Sequence, residues 1–428
     1  MEEHVTLALQ YGQDEAQFRV PAKCLLRPVN RRDNAEAIPD VAAAVRNALE
    51  SPLDFPPLRQ ALTPDDSLAI LVNEHYRRLP DLLVPVLEHI EQAGIHLERA
   101  TLLCPPRLPG VAPPPWREQL PQEYAAIRVE EHDPKNRQRL CYLAATQAGR
   151  RLYLNRTLVE ADQIILVGPA SYDPVLGFGG GFGDLFPSLA DEEVRREFLR
   201  RAVAEPPGEK PNLALREAQE VSWLLGVPFW VAAVPGRGDD VQAILAGPLA
   251  QIAPRVREAL ALAQDYRFPW RAEVVVTALS GDPRWLSFED LTRALAVASR
   301  LVQPGGKIFA LAHINAETLG PAARQLEQFD NPITLLSHAR RDFLADTLSI
   351  WYLAVATRRA SIYLYGSLPQ PIVRNMSATP VGSLQEIQRV LERCGSCIFL
   401  PDGHRANASV TGTMPAVVGG DFRSQQKS

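Results

Sequence analysis

The sequence contains little lysine and no excess of positive charge. Its 428 residues include 45 basic ones, of which five are lysine and 40 are arginine. Both a GC-rich gene and selection for anion recognition by guanidinium groups produce this bias, and only the local context of each arginine separates the two. The formal net charge is −5. Because nucleic-acid-binding proteins usually carry a basic face, we expect no nucleic-acid partner.

Cysteines and long apolar runs are scarce as well. No stretch of 18 apolar residues occurs, so we expect neither a membrane span nor a membrane partner. The acidic first residues do not resemble a signal peptide. Five scattered cysteines do not form a disulfide framework, and we therefore expect a cytoplasmic protein. The hydrophobic content of 46% suffices for folded cores, and the composition leaves the oligomeric state open.

The clearest fold signal is a strand, a polar loop, a helix and a second strand in succession. Residues 67–72 form a continuous apolar run, which is typical of a strand buried on both faces. A polar cluster, a helix over about 80–93 and a strand at 100–103 follow. This order is a βαβ unit, which implies a parallel sheet.

The alternation of strands and helices restarts near residue 267. Short strands at the N-terminus predict a hairpin, and helices are predicted near 287–302 and 316–327. We therefore predict an α/β protein with two α/β domains, mainly parallel sheets and a cleft between the domains. The predicted ranges are 1–267 and 268–410, followed by a polar tail at 411–428.

The first candidate site is the polar loop after the strand at 67–72. It contains Glu74, His75 and Arg77 between a predicted parallel strand and a helix. Ligand sites in open α/β sheets fall at such positions, and His and Arg near a helix N-terminus favour an anion. A solvated turn is the alternative interpretation of the same residues.

The second candidate site is a glycine-rich loop. Five glycines occur within residues 177–183, and the free N–H groups of Gly179, Gly180 and Gly181 are candidates to cradle a phosphate or carboxylate. The loop lacks the Lys-Ser/Thr of a P-loop and the full spacing of a dinucleotide fingerprint. A flexible hinge is the alternative.

Cys394 and Cys397 form the CxxC of this chain. One such pair cannot complete a four-ligand zinc site, and here it follows a helix instead of opening one, as redox motifs do. We interpret both as structural cysteines. The histidines show no metal-ligand spacing, so no metal site is predicted from the residues.

Several segments, in order, resemble the LarA family of nickel-dependent lactate racemases. Residues 72–80 resemble the family's S-D-H-T-R-P-x-P stretch, and residues 161–187 resemble its A-D…G-F-S-G-G-R-K-S-V-L-P stretch without a gap. Gly305-Gly306 and residues 400–403 also match in place. The similarity covers about residues 5–405 at low identity. It implies two α/β domains with the site in the cleft between them.

The resemblance also implies a chemistry, which is hydride exchange at the α-carbon of a 2-hydroxy acid. The family uses a nickel-pincer nucleotide tethered to a lysine, two histidine bases and a further histidine that ligates nickel. Two bases suit racemisation, because the hydroxyl proton must be accepted on either face.

This chain departs from the family at those positions. The tethering lysine falls on Gly183, the preceding arginine on Phe182, the two bases on Asp173 and Arg107, the nickel ligand on Leu199 and a site lysine on Arg293. His75 and Arg77 are retained, and Glu74 replaces an aspartate. We therefore expect no covalently held cofactor, and a nickel-pincer nucleotide is implied by the resemblance alone.

Three hypotheses follow. In the first, the cleft binds a small anionic metabolite or nucleotide through Glu74, Arg77, Arg107, Arg293 and the glycine loop, without racemase activity. In the second, the chain is a diverged 2-hydroxyacid racemase or epimerase in which Asp173 and His75 are catalytic, or in which the pincer nucleotide binds untethered. In the third, Phe178, Phe182 and Phe186 fill the cleft of a structural interaction protein. Asp173 has its own alternative, since Asp-Pro often caps a turn.

Overall fold

A computed structural model describes residues 3–30, 36–145, 149–173, 177–178, 181–204, 213–329 and 331–412. For residues 173, 177 and 201–204 the description is confined to the backbone. The described strands are, in chain order, β1 His4–Tyr11, β2 Asp14–Pro21, β3 Leu68–Val72, β4 Ala100–Cys104, β5 Arg128–Glu131, β6 Leu140–Ala145, β7 Arg151–Asn155, β8 Gln163–Pro169, β9 Tyr172–Asp173, β10 Gly177–Phe178, β11 Phe229–Pro235, β12 Val241–Pro248, β13 Asp265–Phe268, β14 Ala272–Ala278, β15 Val302–Ala312, β16 Ser361–Gly366, β17 Ala378–Pro380, β18 Cys397–Pro401 and β19 Asn407–Val410.

Helices cover both sheets. They are α1 Val41–Glu50, α2 Leu58–Ala61, α3 Leu79–Gln92, α4 Arg156–Glu160, α5 Phe182–Leu185, α6 Glu192–Ala204, α7 Leu213–Leu224, α8 Leu249–Gln264, α9 Phe288–Leu301, α10 Pro332–Asp342, α11 Thr347–Arg359, α12 Gln370–Asn375 and α13 Leu384–Leu391. Within the described ranges, no helix combines the length and apolar character needed to cross a bilayer.

The first large sheet has the strand order β12-β11-β8-β3-β4-β5. Its pairs are parallel except β11 with β12, which is antiparallel. Every residue of β3, β4 and β11 is buried, because helices cover both faces. The continuous apolar runs of the sequence reflect this burial.

The second large sheet has the order β17-β16-β15-β14-β18, and all of its pairs are parallel. Helices α9, α10 and α11 contribute to the apolar core on one of its faces. Ser287 caps α9 by accepting a hydrogen bond from the N–H of Asp290, as its position before an apolar helix predicts. The prediction of an α/β fold with mainly parallel sheets is confirmed.

The N-terminal hairpin β1–β2 packs against the second sheet, although the first sheet follows it in sequence. Leu9, Phe18 and Val20 share a core with Val276 and Phe309. A bridge between Gly12 and Ser280 joins the same elements. The chain therefore begins on the second sheet, forms the first, and returns to the second. The proposed boundary near residue 267 stays a prediction.

Some local predictions were wrong or incomplete. The predicted helix near 316–327 is two short 3-10 turns, Ala316–Thr318 and Ala323–Gln328, separated by a Gly-Pro pair that cannot continue a helix. Helices α8 and α10 and the antiparallel strand β12 were not predicted. Cys394 and Cys397 are free, buried thiols in the core beneath the hairpin.

Candidate functional site

The strand order of the first sheet reverses between the two central strands, β3 and β8. The chain leaves β3 toward β4 on one side, and it leaves β8 toward β11 on the other. The loop that contains Glu74 and His75 and the loop that leads into β9 therefore lie at one sheet edge. Open α/β sheets form their ligand crevice at this place.

Glu74 and Arg107 face each other across the ends of β3 and β4. The Arg107 Nε and Nη2 atoms donate to the two Glu74 carboxylate oxygens at 2.9 and 3.0 Å. The Glu74 side chain is 1% exposed and that of Arg107 26%. Arg107 Nη1 also lies 3.0 Å from Glu131 Oε2. The hydrogen bonds of Glu74 raise the pKa of Arg107, which keeps the guanidinium charged.

Arg77 and His75 occupy the same loop in more open surroundings. The Arg77 guanidinium pairs with Asp239 from the loop after β11, and the two side chains are 44% and 26% exposed. His75 is exposed, and its ring makes no hydrogen bond with any residue that the structure describes. The most exposed side chains of this loop are thus the imidazole of His75 and the guanidinium of Arg77, whose partner Asp239 is itself partly exposed.

The loop at 236–240 connects the two sheets. The Gly238 N–H donates to Asp402 Oδ2 at 3.0 Å, and the Gly238 carbonyl accepts from Arg405 Nη1 at 2.6 Å. Asp402 also accepts from the backbone N–H of Ser280 at 3.0 Å and from its hydroxyl at 2.6 Å. Burial by itself raises the pKa of Asp402, but Arg405 and these hydrogen bonds lower it overall.

His404 lies beside this contact and is buried. Burial, and then the charge of Arg405, lower its pKa to about 4, so the imidazole is neutral near pH 7. Asp290, on α9, faces it and accepts hydrogen bonds from the Ser287 N–H and hydroxyl at 2.9 and 2.7 Å. His404 Nδ1 has no hydrogen-bond partner among the described residues.

Arg293 is the predicted ligand-binding residue of the second domain. It lies on α9 one turn after Glu289, and its Nη2 donates to Glu289 Oε1 at 2.9 Å. Its charge acts on both His404 and Asp290, which places it at the same end of the second sheet. Arg77, Arg107 and Arg293 therefore each have a carboxylate partner within the chain.

The glycine loop is described in part. Gly179, Gly180 and the side chain of Asp173 lie outside the described residues, whereas the Asp173 backbone pairs with Gly177 in the β9–β10 hairpin. Gly181 has φ of +74°, and a Cβ there would lie 2.5 Å from Leu249 Cδ1. Close packing thus requires a glycine at 181, besides any role in binding.

Phe178, Phe182 and Phe186 are buried in the apolar core on one face of the first sheet. Phe178 packs near Trp230 and Phe186 packs edge-to-face on Phe198. These contacts place all three rings against the first domain. The third hypothesis, in which they fill the cleft, loses its structural argument.

Residues 236–240 and Asp402 were not chosen from the sequence. The signal was available, because Gly236-Arg237-Gly238-Asp239 follows the buried strand β11 just as the Glu74 loop follows β3. Asp402 was noted only within a matching stretch. Its role depends on contacts with residues more than 120 positions away.

Comparisons with known proteins agree with this architecture. Residues 11–206 match the family model of the lactate racemase N-terminal domain. The lactate racemase apoprotein from Thermoanaerobacterium thermosaccharolyticum has a similar structure, with a TM-score of 0.75 and 17% identity, over 94% of this chain and 100% of that one. Residues 11–206 therefore resemble that N-terminal domain, and the whole chain shares the fold of the racemase apoprotein.

A second solved structure, a Thermotoga maritima protein from a structural genomics consortium, resembles this chain with a TM-score of 0.64 and 12% identity. The match covers 87% of this chain and 97% of that one. No functionally curated protein matches it. At these identities the structural comparisons establish the fold.

The residues of this chain at the matching positions do not fit a tethered nickel-pincer nucleotide. Gly183 has no amine, and its carbonyl accepts a hydrogen bond from the Ser188 hydroxyl at 2.7 Å. Phe182 is buried in the core, and Leu199 packs against the core of the second domain. Within the described part of the chain, no group of three His, Cys, Asp or Glu side chains is arranged to hold a metal ion.

Proposed function

We propose that this LarA-like chain binds a small anionic metabolite or nucleotide in the cleft between its domains, without racemisation through a tethered nickel-pincer nucleotide. The ion pair between Arg77 and Asp239 is the observation that carries the proposal. Both side chains are partly exposed at the sheet's switch point. A carboxylate or phosphate can take the place of Asp239 and bind Arg77 by a fork of hydrogen bonds.

Arg77 and Arg107 differ in how readily each can exchange its carboxylate partner for a ligand. Exposed ion pairs contribute about 0–1 kcal/mol, so displacement of Asp239 costs little. Arg107, in contrast, is fixed by two hydrogen bonds to buried Glu74 and is not free to change partner. Arg77 therefore binds the anion, and Arg107 shapes the cleft wall.

A second candidate function is 2-hydroxyacid racemisation or epimerisation. The exposed imidazole of His75 favours it, because this base lies at the switch point without a hydrogen-bond partner among the described residues. Asp173 would be the second base, on the neighbouring loop. An untethered pincer nucleotide, by family resemblance, is the other form of this candidate.

Thermal-shift and calorimetric titration with 2-hydroxy acids, other carboxylates and nucleotides test the binding proposal. We expect at least one anion to stabilise the wild type, Arg77→Ala to abolish that effect, and Asp239→Asn to tighten binding about threefold by removing the competing carboxylate. Arg46→Ala is the matched control, since it breaks a comparably exposed ion pair with Glu88 far from this edge. Equal responses of Arg77→Ala and Arg46→Ala would contradict the proposal.

The second candidate requires its own measurements. Interconversion of the two enantiomers of a 2-hydroxy acid, followed by chiral chromatography and lost in His75→Gln, would support it. Native and denatured mass spectrometry after co-expression with the pincer-forming enzymes tests the untethered form. An adduct present only in the native spectrum supports that form, and the absence of racemisation in both preparations excludes the enzyme.

A further inference from the structure

A separate cavity lies between the β6–β7 hairpin region and α6. Its volume is about 650 Å³, within the range of small-molecule sites. Four cationic side chains line it, together with the ring of Tyr153: Lys135, Arg137, Arg196 and Arg200. These residues come from the edge of the first domain, away from the Glu74 and Asp239 loops.

The carboxylates in the wall are engaged with other groups. Asp191 accepts a hydrogen bond from the Val194 N–H at 2.8 Å and so caps α6. Glu192 is bound by Arg196 at 2.8 Å and lies 3.5 Å from Lys135. Glu193, the third carboxylate, is exposed.

Two of the four cations differ from the others in their surroundings. Arg137 and Arg200 have no carboxylate within ion-pair distance among the side chains that the structure describes. Because the carboxylates that lie deeper in the wall are already engaged, the cavity presents an excess of positive charge to a ligand.

A small crevice beside Phe343 of the second domain shares Arg196 and Arg200 with the cavity. The guanidinium carbons of Arg196 and Arg200 lie 5.1 and 4.2 Å from the centre of this one ring. Arg340 lines the same crevice. Three guanidinium groups from two domains therefore lie around this one ring.

The backbone of Phe343 is also unusual. Phe343 ends α10 in the left-handed conformation, with φ of +53° and ψ of +47°. Large residues rarely adopt it, and such strain is often retained where it positions a functional group. Here the ring of this residue packs on Arg196 and Arg200.

We propose that this cavity is a second anion site, which binds a phosphorylated small molecule through Arg137, Arg196 and Arg200. A phosphate monoester carries two negative charges and several oxygens, which suits several guanidinium forks better than a single carboxylate does. Tyr153 and Leu140 supply an apolar wall for its organic part. The site goes beyond the proposed function, because it uses none of the residues of the cleft loops.

Isothermal titration of the full chain with inorganic phosphate tests the assignment, with succinate and KCl at matched ionic strength as comparisons. We expect phosphate to bind and Arg200→Ala to weaken it about tenfold or more. Arg137→Ala provides an exposed second variant whose folding is not at risk. Arg341→Ala is the control, since it removes a 73% exposed arginine of α10 that does not line the cavity.

The outcomes are distinct. Loss of phosphate binding in Arg200→Ala and Arg137→Ala but not in Arg341→Ala supports the site. Binding that is lost only in Arg77→Ala assigns phosphate to the cleft and overturns the second site without touching the proposed function. Succinate binding as tight as phosphate overturns the choice of a phosphate ester, and no binding beyond KCl overturns the proposal altogether.

Discussion

Arg107 donates both Nε and Nη2 to the carboxylate of Glu74, at 2.9 and 3.0 Å. The family resemblance assigns a base histidine to the position of Arg107. A guanidinium stays protonated and cannot accept a proton, so the pair cannot carry out that step. It joins the ends of β3 and β4 instead, and this position has become part of the framework of the cleft.

Arg107→Ala is expected to destabilise the chain strongly. It leaves the Glu74 carboxylate buried without its cation, which costs about 3 kcal/mol. Arg46→Ala breaks an equally forked but exposed pair with Glu88 and should cost at most about 1 kcal/mol. Urea unfolding midpoints of the two variants measure the difference. Equal losses of stability in the two variants would show that Glu74 is hydrated. In an Arg107→Ala background, Glu74→Gln should recover part of the lost stability.

His404 is expected to lower the stability of the folded chain as the pH drops from 6.5 toward 4, whereas Asp184, whose pKa is raised to about 6 by burial, acts in the opposite direction. Its pKa is lowered to about 4, so below pH 6.5 the unfolded chain takes up a proton that the folded chain excludes. This difference corresponds to about 3 kcal/mol, present in full above pH 6.5 and lost by about pH 4. Burial also lowers the pKa values of His89 and His132, which act in the same direction.

Unfolding at a series of pH values isolates this contribution. His404→Gln should flatten the pH dependence between 6.5 and 4, whatever its effect at pH 7. His96→Gln, at an exposed histidine, should leave the slope unchanged. A His404→Gln slope equal to that of the wild type would show that His404 titrates normally.

Gly181→Ala should test whether packing requires the glycine. The new Cβ would lie 2.5 Å from Leu249 and 3.2 Å from Trp230, at φ of +74°. Overpacking and backbone strain together predict a loss of at least about 2 kcal/mol. Gly226→Ala is the control, since Gly226 has φ of +95° but open space around it, and it should lose about 1 kcal/mol. Similar unfolding midpoints for both variants would remove the packing argument.

Much of the fold was accessible from local patterns. Strand β3 was predicted because burial on both faces demands continuous apolar residues. The helix near 287–302 was predicted as well, and in the structure the Ser287 hydroxyl caps the first turn of α9. The Glu74 loop was chosen because the carboxyl ends of parallel strands meet at one edge.

Elements without such a pattern were missed. Helix α10 has a weak apolar stripe, although Asn331 and Pro332 are a start signal that was overlooked. Strand β12 alternates poorly because its middle residues are half-buried. Their place depends on packing against neighbours that are distant in sequence.

The sequence by itself determined the α/β class, the two candidate loops and the loss of the family's lysine and histidines, because these follow from residue identity and local periodicity. Only the tertiary structure decided which charge faces which. Arg107 binds Glu74, Arg77 binds Asp239, and Gly238 binds Asp402. The first of these pairs is separated by 33 residues and the last by 164. Such partners are set by strand order and by contact between domains, and no local pattern encodes either.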